Sequence, residues 1–370
     1  MIITTIILFL LILGVIVFFH ELGHFVVAKF YGVKVEEFAI GFPPKIFGIK
    51  RGETEYTLNW VPLGGFCKIV GEDGESKNDP RSFGSKSIFQ RFQIISAGVI
   101  MNFILAFIIY SFIFMVGSPM NIEGEDLSSA KSVDKVQVRI TGVVENTPAF
   151  NVGLELGDVI LKADEEEIKE IEDLQNYTKE NLGENIVLTI SRGKETIEKE
   201  IVPRKEYSEN EGAMGVSLAR TAVVKFAPLE AIKRGFEWTV FLTSYILTAF
   251  AIIIQSLVTT GQTVAEVSGP VGIAAMTSQA ASLGIIAILN FTALISINLA
   301  IINALPFPAL DGGRLVFLMI EKIKGSPVKQ EWEAKVNNVG FMLLMLLMVV
   351  VTFKDLMRFD VWGRVVGLFG

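Results

Sequence analysis

Side chains that bind metals or cross-link are scarce in this chain. Its 370 residues hold one cysteine, Cys67, and two histidines, His20 and His24. A lone cysteine excludes an intramolecular disulfide and any cysteine-rich zinc ribbon. Metal or acid–base chemistry that needs imidazole must use His20 and His24. Charge is also sparse: 20% of residues are Asp, Glu, Lys or Arg, where soluble domains carry about a quarter. No basic face is available for nucleic acid, since Lys and Arg number 33 against 40 acidic residues. What is abundant is apolar: 51% of the chain is hydrophobic and the mean hydropathy is +0.50. This excludes a disordered chain and argues against a purely soluble enzyme.

The apolar excess falls into runs. Residues 2–28, 94–116, 284–305 and 338–353 read as membrane spans, the last borrowing flanking residues to reach the roughly 20 needed. The first run has no Lys or Arg before it and no small-residue cleavage site after it, so it reads as a retained span rather than a signal peptide. A fifth segment, 236–258, is apolar enough to span, but its approach carries Glu230, Lys233 and Arg234. Ten basic residues lie between positions 29 and 92 (Lys77 among them), and Arg314, Lys322, Lys324, Lys329 and Lys335 follow the third span. Positive charge in short loops marks the cytoplasmic side, so the N-terminus and the middle of the chain are expected outside.

The middle is an acidic insert. Positions 121–227 carry 13 basic and 22 acidic residues, leaving 20 and 18 elsewhere. Residues 137–144 alternate like a strand, 171–181 read as a helix, and 186–191 with 196–202 read as a hairpin around Arg192-Gly193. Gly153 and Gly157 suit tight turns. The pattern resembles a PDZ domain of the bacterial protease type; a generic small α/β domain is the plainer alternative. PDZ domains take an extended peptide as an added strand.

His20-Glu21-Leu22-Gly23-His24 is an HExxH sequence. On a helix, residues four apart share a face, so both imidazoles can meet one ion and Glu21 can serve as general base. Ionisable groups inside an apolar helix are functional candidates by default, although a polar seam between helices is the plainer reading. Zinc needs a third protein ligand. With no third histidine, and with Cys67 distant from any span in sequence, a carboxylate is required. Asp311, in Asn303-Ala304-Leu305-Pro306-Phe307-Pro308-Ala309-Leu310-Asp311-Gly312-Gly313, is the best placed. Its alternative role is a cap on the next helix.

HELGH in the first span, the PDZ-like insert and NxxPxPxLDGG late in the chain together resemble the site-2 protease family, and within it the bacterial regulator-of-sigma-E protease group. The likeness covers nearly the whole chain. It implies a mainly α-helical integral membrane protein with about four transmembrane helices, a membrane-dipping β-loop region and one extracytoplasmic PDZ domain. The expected segments are a membrane core over 1–119, the PDZ domain over 120–221, an interfacial apolar helix region over 222–282 and a second membrane core over 283–370. It implies one Zn²⁺ per chain held by His20, His24 and Asp311, with Glu21 as the base. The substrates would be transmembrane segments of other proteins, such as anti-sigma factors or remnant signal peptides, cut in the bacterial inner membrane near its cytoplasmic side.

By the same resemblance Asn303 helps bind substrate, and Pro62, Leu63, Gly64, Gly65 and Phe66 match the β-loop that presents it. The PDZ domain would exclude substrates with bulky outer domains. Parity then requires 236–258 to rest at the outer interface or to dip in without crossing, so that Asp311 emerges on the same side as the histidines. One departure stands out: the family's Gly-Pro-x-x-Asn is here Gly98-Val99-Ile100-Met101-Asn102. Two other readings remain open: a non-catalytic membrane-anchored PDZ scaffold, and a membrane-anchored zinc protease of soluble substrates.

Overall fold

The structure, a computed structural model, describes residues 2–72, 79–124, 126–193, 195–208, 212–261 and 269–358. Lys77 and the last twelve positions of the 283–370 segment therefore lie outside the described residues. In chain order the elements are α1 (Ile2–Phe30), β1 (Val35–Arg51), β2 (Thr54–Ile69), α2 (Ile88–Val116), β3 (Ser118–Asn121), β4 (Ala130–Val143), α3 (Pro148–Asn151), β5 (Val159–Ala163) and β6 (Glu166–Glu167). There follow α4 (Ile171–Glu180), β7 (Ile186–Arg192), β8 (Glu195–Ile201), β9 (Val216–Phe226), α5 (Pro228–Thr260), α6 (Pro270–Leu283), α7 (Ile285–Ala304), α8 (Asp311–Lys324) and α9 (Gln330–Arg358). They form two compact units. One comprises Met1–Tyr110, Phe236–Ala281 and Ile288–Gly370; the other comprises Ser111–Gly235 and Ser282–Ala287.

The first unit is helical. Among the described residues, α1, α2, α5, α7 and α9 are long and apolar enough to cross a bilayer. Thus α5 meets the same test of length and composition as the four expected spans. The 29 residues of α9 would extend about 43 Å at 1.5 Å per residue, and the sequence reading caught only the apolar middle of that helix. Small residues let helices approach closely. At Gly23 of α1 a Cβ would overlap the Ala97 carbonyl of α2. On α7, Ala293, Ile297 and Ala300 share one face and are fully buried, and Ser296 Oγ of the same helix donates to the Asn102 carbonyl of α2 at 2.9 Å.

Beside these helices β1 and β2 form a long, curled antiparallel hairpin. The first half of β1 lies between two lengths of β2: Ile40 faces Gly65 on one side and Leu58 on the other. Its second half pairs with the start of β2, from Lys45 opposite Asn59 to Arg51 opposite Thr54. The Pro62–Phe66 run, expected as a loop, is continuous strand inside β2; the turn of the hairpin falls between Arg51 and Thr54. Apolar side chains including Phe42, Ile46, Phe47, Leu58 and Trp60 are exposed on this hairpin.

The second unit is a sheet in the order β3-β9-β4-β5-β7-β8, with β6 paired to β5. The hairpin of β7 and β8 falls where alternation placed it, and α4 turns Leu174 and Thr178, one turn apart, into the core. Gly153 and Gly157 both have positive φ, at 73° and 98°. β4 is longer than its alternating part because it pairs along its length with β9, from Ala130 opposite Phe226 to Val143 opposite Val216. Sequence reading missed β9: its run Leu218-Ala-Arg-Thr-Ala-Val-Val-Lys does not alternate cleanly.

Candidate metal centre

The site belongs wholly to the first unit. His20 and His24 sit one turn apart on α1, both buried. Their rings meet edge to face with centroids 4.9 Å apart. The third group arrives from far along the chain. After α7 the chain tightens: Leu305 N–H donates to Ile302 O and Phe307 N–H to Leu305 O. Pro306 and Pro308 lack the N–H that would continue a helix. The chain then packs on itself so closely that a Cβ at Gly312 would overlap the Leu305 carbonyl. α8 therefore begins at once, with Leu310 at its cap position. Asp311 is the first helical residue rather than the cap, and its carboxylate turns toward the histidines.

Among the described residues, His20, His24 and Asp311 are the one group of three such side chains whose ligand atoms all lie within 4.8 Å of one another. His20 Nε2 is 3.2 Å from Asp311 Oδ2, His24 Nε2 is 3.4 Å from the same oxygen, and the two nitrogens are 3.3 Å apart. A tetrahedral zinc with bonds of about 2.0–2.1 Å requires its donors to stand about 3.3–3.4 Å apart. The triangle therefore has the size of one face of that tetrahedron. Asp311 Oδ2 is buried and has no hydrogen-bond donor of its own, a state that is costly unless a cation supplies the partner. The donor set, two imidazoles and a carboxylate, suits zinc.

Metal-ligating histidines are normally oriented through the other ring nitrogen. His24 Nδ1 lies 2.8 Å from the Ile94 carbonyl of α2. His20 Nδ1 lies 3.4 Å from the side-chain amide of Asn102, also on α2. Between them, a Cβ on Gly98 would come within 2.8 Å of His20 Cε1 and overlap His24 Nε2. In sequence the Gly98–Asn102 stretch stands out only as a departure from a family motif, with no role assigned to it at the site. The available signal was the spacing 94, 98, 102, which puts all three residues on one face of α2.

The remaining expected residues divide. Asn303 Nδ2 lies 3.3 Å from His20 Nε2, so its amide borders the donor triangle. Glu21 lies beside β2: a Cβ on Gly65 would be 3.6 Å from Glu21 Cγ. Gly64 packs on the Phe42 ring, which stacks on Phe66 at 6.5 Å. Pro62 is exposed, and the side chain of Leu63 lies outside the described residues. Cys67, distant from the spans in sequence, is not distant in space. It is buried in one cluster with Ala28 of α1 and Ile94 and Ile95 of α2. Burial, with the charges of Glu21 and Glu72, pushes its thiol well up, and Cys67 is not part of the grouped His20, His24 and Asp311 ligand atoms.

A helix-borne HExxH pair joined by a remote aspartate, within a chain of apolar helices, defines a metallopeptidase of membrane type. Comparison with known proteins agrees: the sequence profile described as Peptidase family M50 matches residues 8–347. A Clostridium perfringens protein whose name assigns it provisionally to the zinc metalloproteases is 40% identical over 349 residues, covering 94% of this chain and 97% of that protein. The regulator of sigma-W protease RasP of Bacillus subtilis is 33% identical, with 97% of this chain and 99% of that protein covered. Among solved structures, a PDZ domain of a Listeria monocytogenes SdrC-like protein matches 24% of this chain and 92% of its own, at 21% identity and a TM-score of 0.21. The chain belongs to peptidase family M50 and is a zinc metalloendopeptidase.

Proposed function

We propose that this enzyme cuts peptide bonds within transmembrane segments of other membrane proteins, with Zn²⁺ held by His20, His24 and Asp311. The observation that carries the reading is the donor triangle itself, formed by helices that are apolar throughout their middles. When bound, zinc supplies Lewis-acid polarisation and a lowered pKa for the attacking water. Glu21, adjacent to His20 in sequence and facing β2, accepts the proton of that water and delivers it to the leaving amine. Asn303, beside His20 Nε2, donates its amide N–H to the substrate carbonyl as negative charge develops there.

A helical substrate hides its carbonyls, so it must unwind locally. The stretch around Gly65 is suited to receive it. Among the described residues β1 is its paired strand, and the opposite edge is available for β-strand addition. The second unit, over about 120–221, is read as a PDZ domain. By likeness to the regulator-of-sigma relatives, the substrates are transmembrane anti-sigma factors or remnant signal peptides.

The enzyme is placed in the bacterial inner membrane, with its metal end toward the cytoplasm and the PDZ unit outside. In this arrangement α5 does not cross. Phe236 of α5 packs edge to face on Phe107 in the outer half of α2. Gly269 and Gly272, at the start of α6, donate to Asp355 near the outer end of α9. Only eight peptide steps join Gly261 to Gly269, a reach of about 28 Å at 3.5 Å each, short of the roughly 30 Å of hydrocarbon that a return from the far side would require.

Glu21→Gln in the full-length enzyme is the test. Zinc should remain bound while cleavage of a membrane-embedded peptide is lost. Cleavage that survives with zinc bound excludes the mechanism, and equal cleavage of soluble and embedded peptides favours a membrane-anchored protease of soluble substrates.

A further inference from the structure

Both imidazoles of the centre must keep Nε2 free of its proton to bind a metal, so each must carry its proton on Nδ1. For His24 this is assured by the partner. The Ile94 carbonyl, 2.8 Å away, can only accept. For His20 the partner is the Asn102 amide, which is fully buried and can present either an oxygen or an NH₂ group of nearly the same shape. As placed, Nδ2 is 3.4 Å from the ring nitrogen and Oδ1 is buried without a partner. In that arrangement Nδ1 is the acceptor and the ring proton sits on Nε2, the nitrogen 3.2 Å from Asp311 Oδ2. Rotation of the amide by half a turn exchanges its two groups and lets Oδ1 accept Nδ1–H, freeing Nε2.

We propose that Asn102 is the positioning residue for His20: its side-chain carbonyl accepts the Nδ1 proton and holds the ring in the tautomer that binds zinc through Nε2. The inference rests on the metal site proposed above. The residue is itself held in place, because its backbone carbonyl accepts from Ser296 Oγ of α7 at 2.9 Å. One face of α2 thus carries an acceptor for His24 at Ile94, a gap for both rings at Gly98 and an acceptor for His20 at Asn102.

The test is zinc affinity of the purified full-length enzyme, measured by competition with a chromophoric chelator. Loss of a histidine's outer partner typically weakens metal binding 10- to 100-fold. Asn102→Leu, which keeps the bulk and removes the acceptor, should weaken zinc at least tenfold. Asn102→Asp, which keeps an acceptor and loses the donor, should stay within tenfold of the unaltered enzyme. A smaller loss in the leucine variant, or a tenfold loss in the aspartate variant, overturns the proposal. Should the leucine variant fail to fold, the aspartate variant decides alone by the same threshold. If the unaltered enzyme itself takes up no zinc, the metal site fails and not merely the role of Asn102.

Discussion

Gly98 of α2 and His24 of α1 lie so close that a methyl group on the glycine would overlap His24 Nε2, and it would also reach 2.8 Å from His20 Cε1. The two helices meet across this point with no side chain between them. The geometry of the His20–His24 pair therefore depends on a residue outside the donor triangle.

Gly98→Ala should consequently disturb the centre more than the fold. A displacement of about 1 Å at a catalytic group can cost on the order of 100-fold in rate. Loss of about two orders of magnitude in kcat/KM is expected, together with weaker zinc binding by chelator competition. Unchanged zinc affinity would show that the rings accommodate the methyl group.

Asp355 near the end of α9 is 3% exposed, and its carboxylate accepts from Gly269 N–H at 2.9 Å and Gly272 N–H at 2.8 Å. It satisfies donors at the start of α6 that the helix itself cannot. Asp355→Ala leaves buried donors unpaired, at about 1–3 kcal/mol. A lower thermal midpoint in detergent is expected, with zinc affinity unchanged because Asp355 is not among the three grouped side chains His20, His24 and Asp311.

Arg91 of α2 and Glu321 of α8 form a two-pronged ion pair, at 3.0 and 2.5 Å, with side chains 13% and 16% exposed. Breaking such a pair from one side strands a charge and costs more than replacing both partners. Glu321→Gln should lower stability by roughly 3 kcal/mol or less, given the residual exposure. Arg91→Met with Glu321→Leu should recover most of it, as read by thermal unfolding. Additive losses in the double variant would count against the coupling.

A cysteine or epitope introduced directly after Gly261 should react with a membrane-impermeant reagent from outside intact cells. Labelling from the cytoplasmic side alone would show that α5 crosses, and the topology proposed here would be wrong by one span.

Much of the site was legible in advance because it is local. The register of His20 and His24 follows from helical periodicity, and the break after Asn303 follows from Pro306, Pro308 and the two glycines. The β7–β8 hairpin was likewise readable from alternation within a few residues. Cys67 was misjudged because distance along the chain says nothing about a strand folded back against two helices. β9 was missed because its pairing with β4, rather than its own alternation, makes it a strand.

By itself, then, the amino-acid order determined the kind of chemistry: two imidazoles, a glutamate between them and a need for one carboxylate. Tertiary structure alone decided that Asp311 closes the triangle at about the edge length of a zinc tetrahedron, that Gly65 lies beside Glu21, and that Ile94, Gly98 and Asn102 of a neighbouring helix back the rings. Periodicity acts over a turn or two, whereas a metal site needs ångström agreement between segments 287 to 291 positions apart. Only packing can impose that agreement.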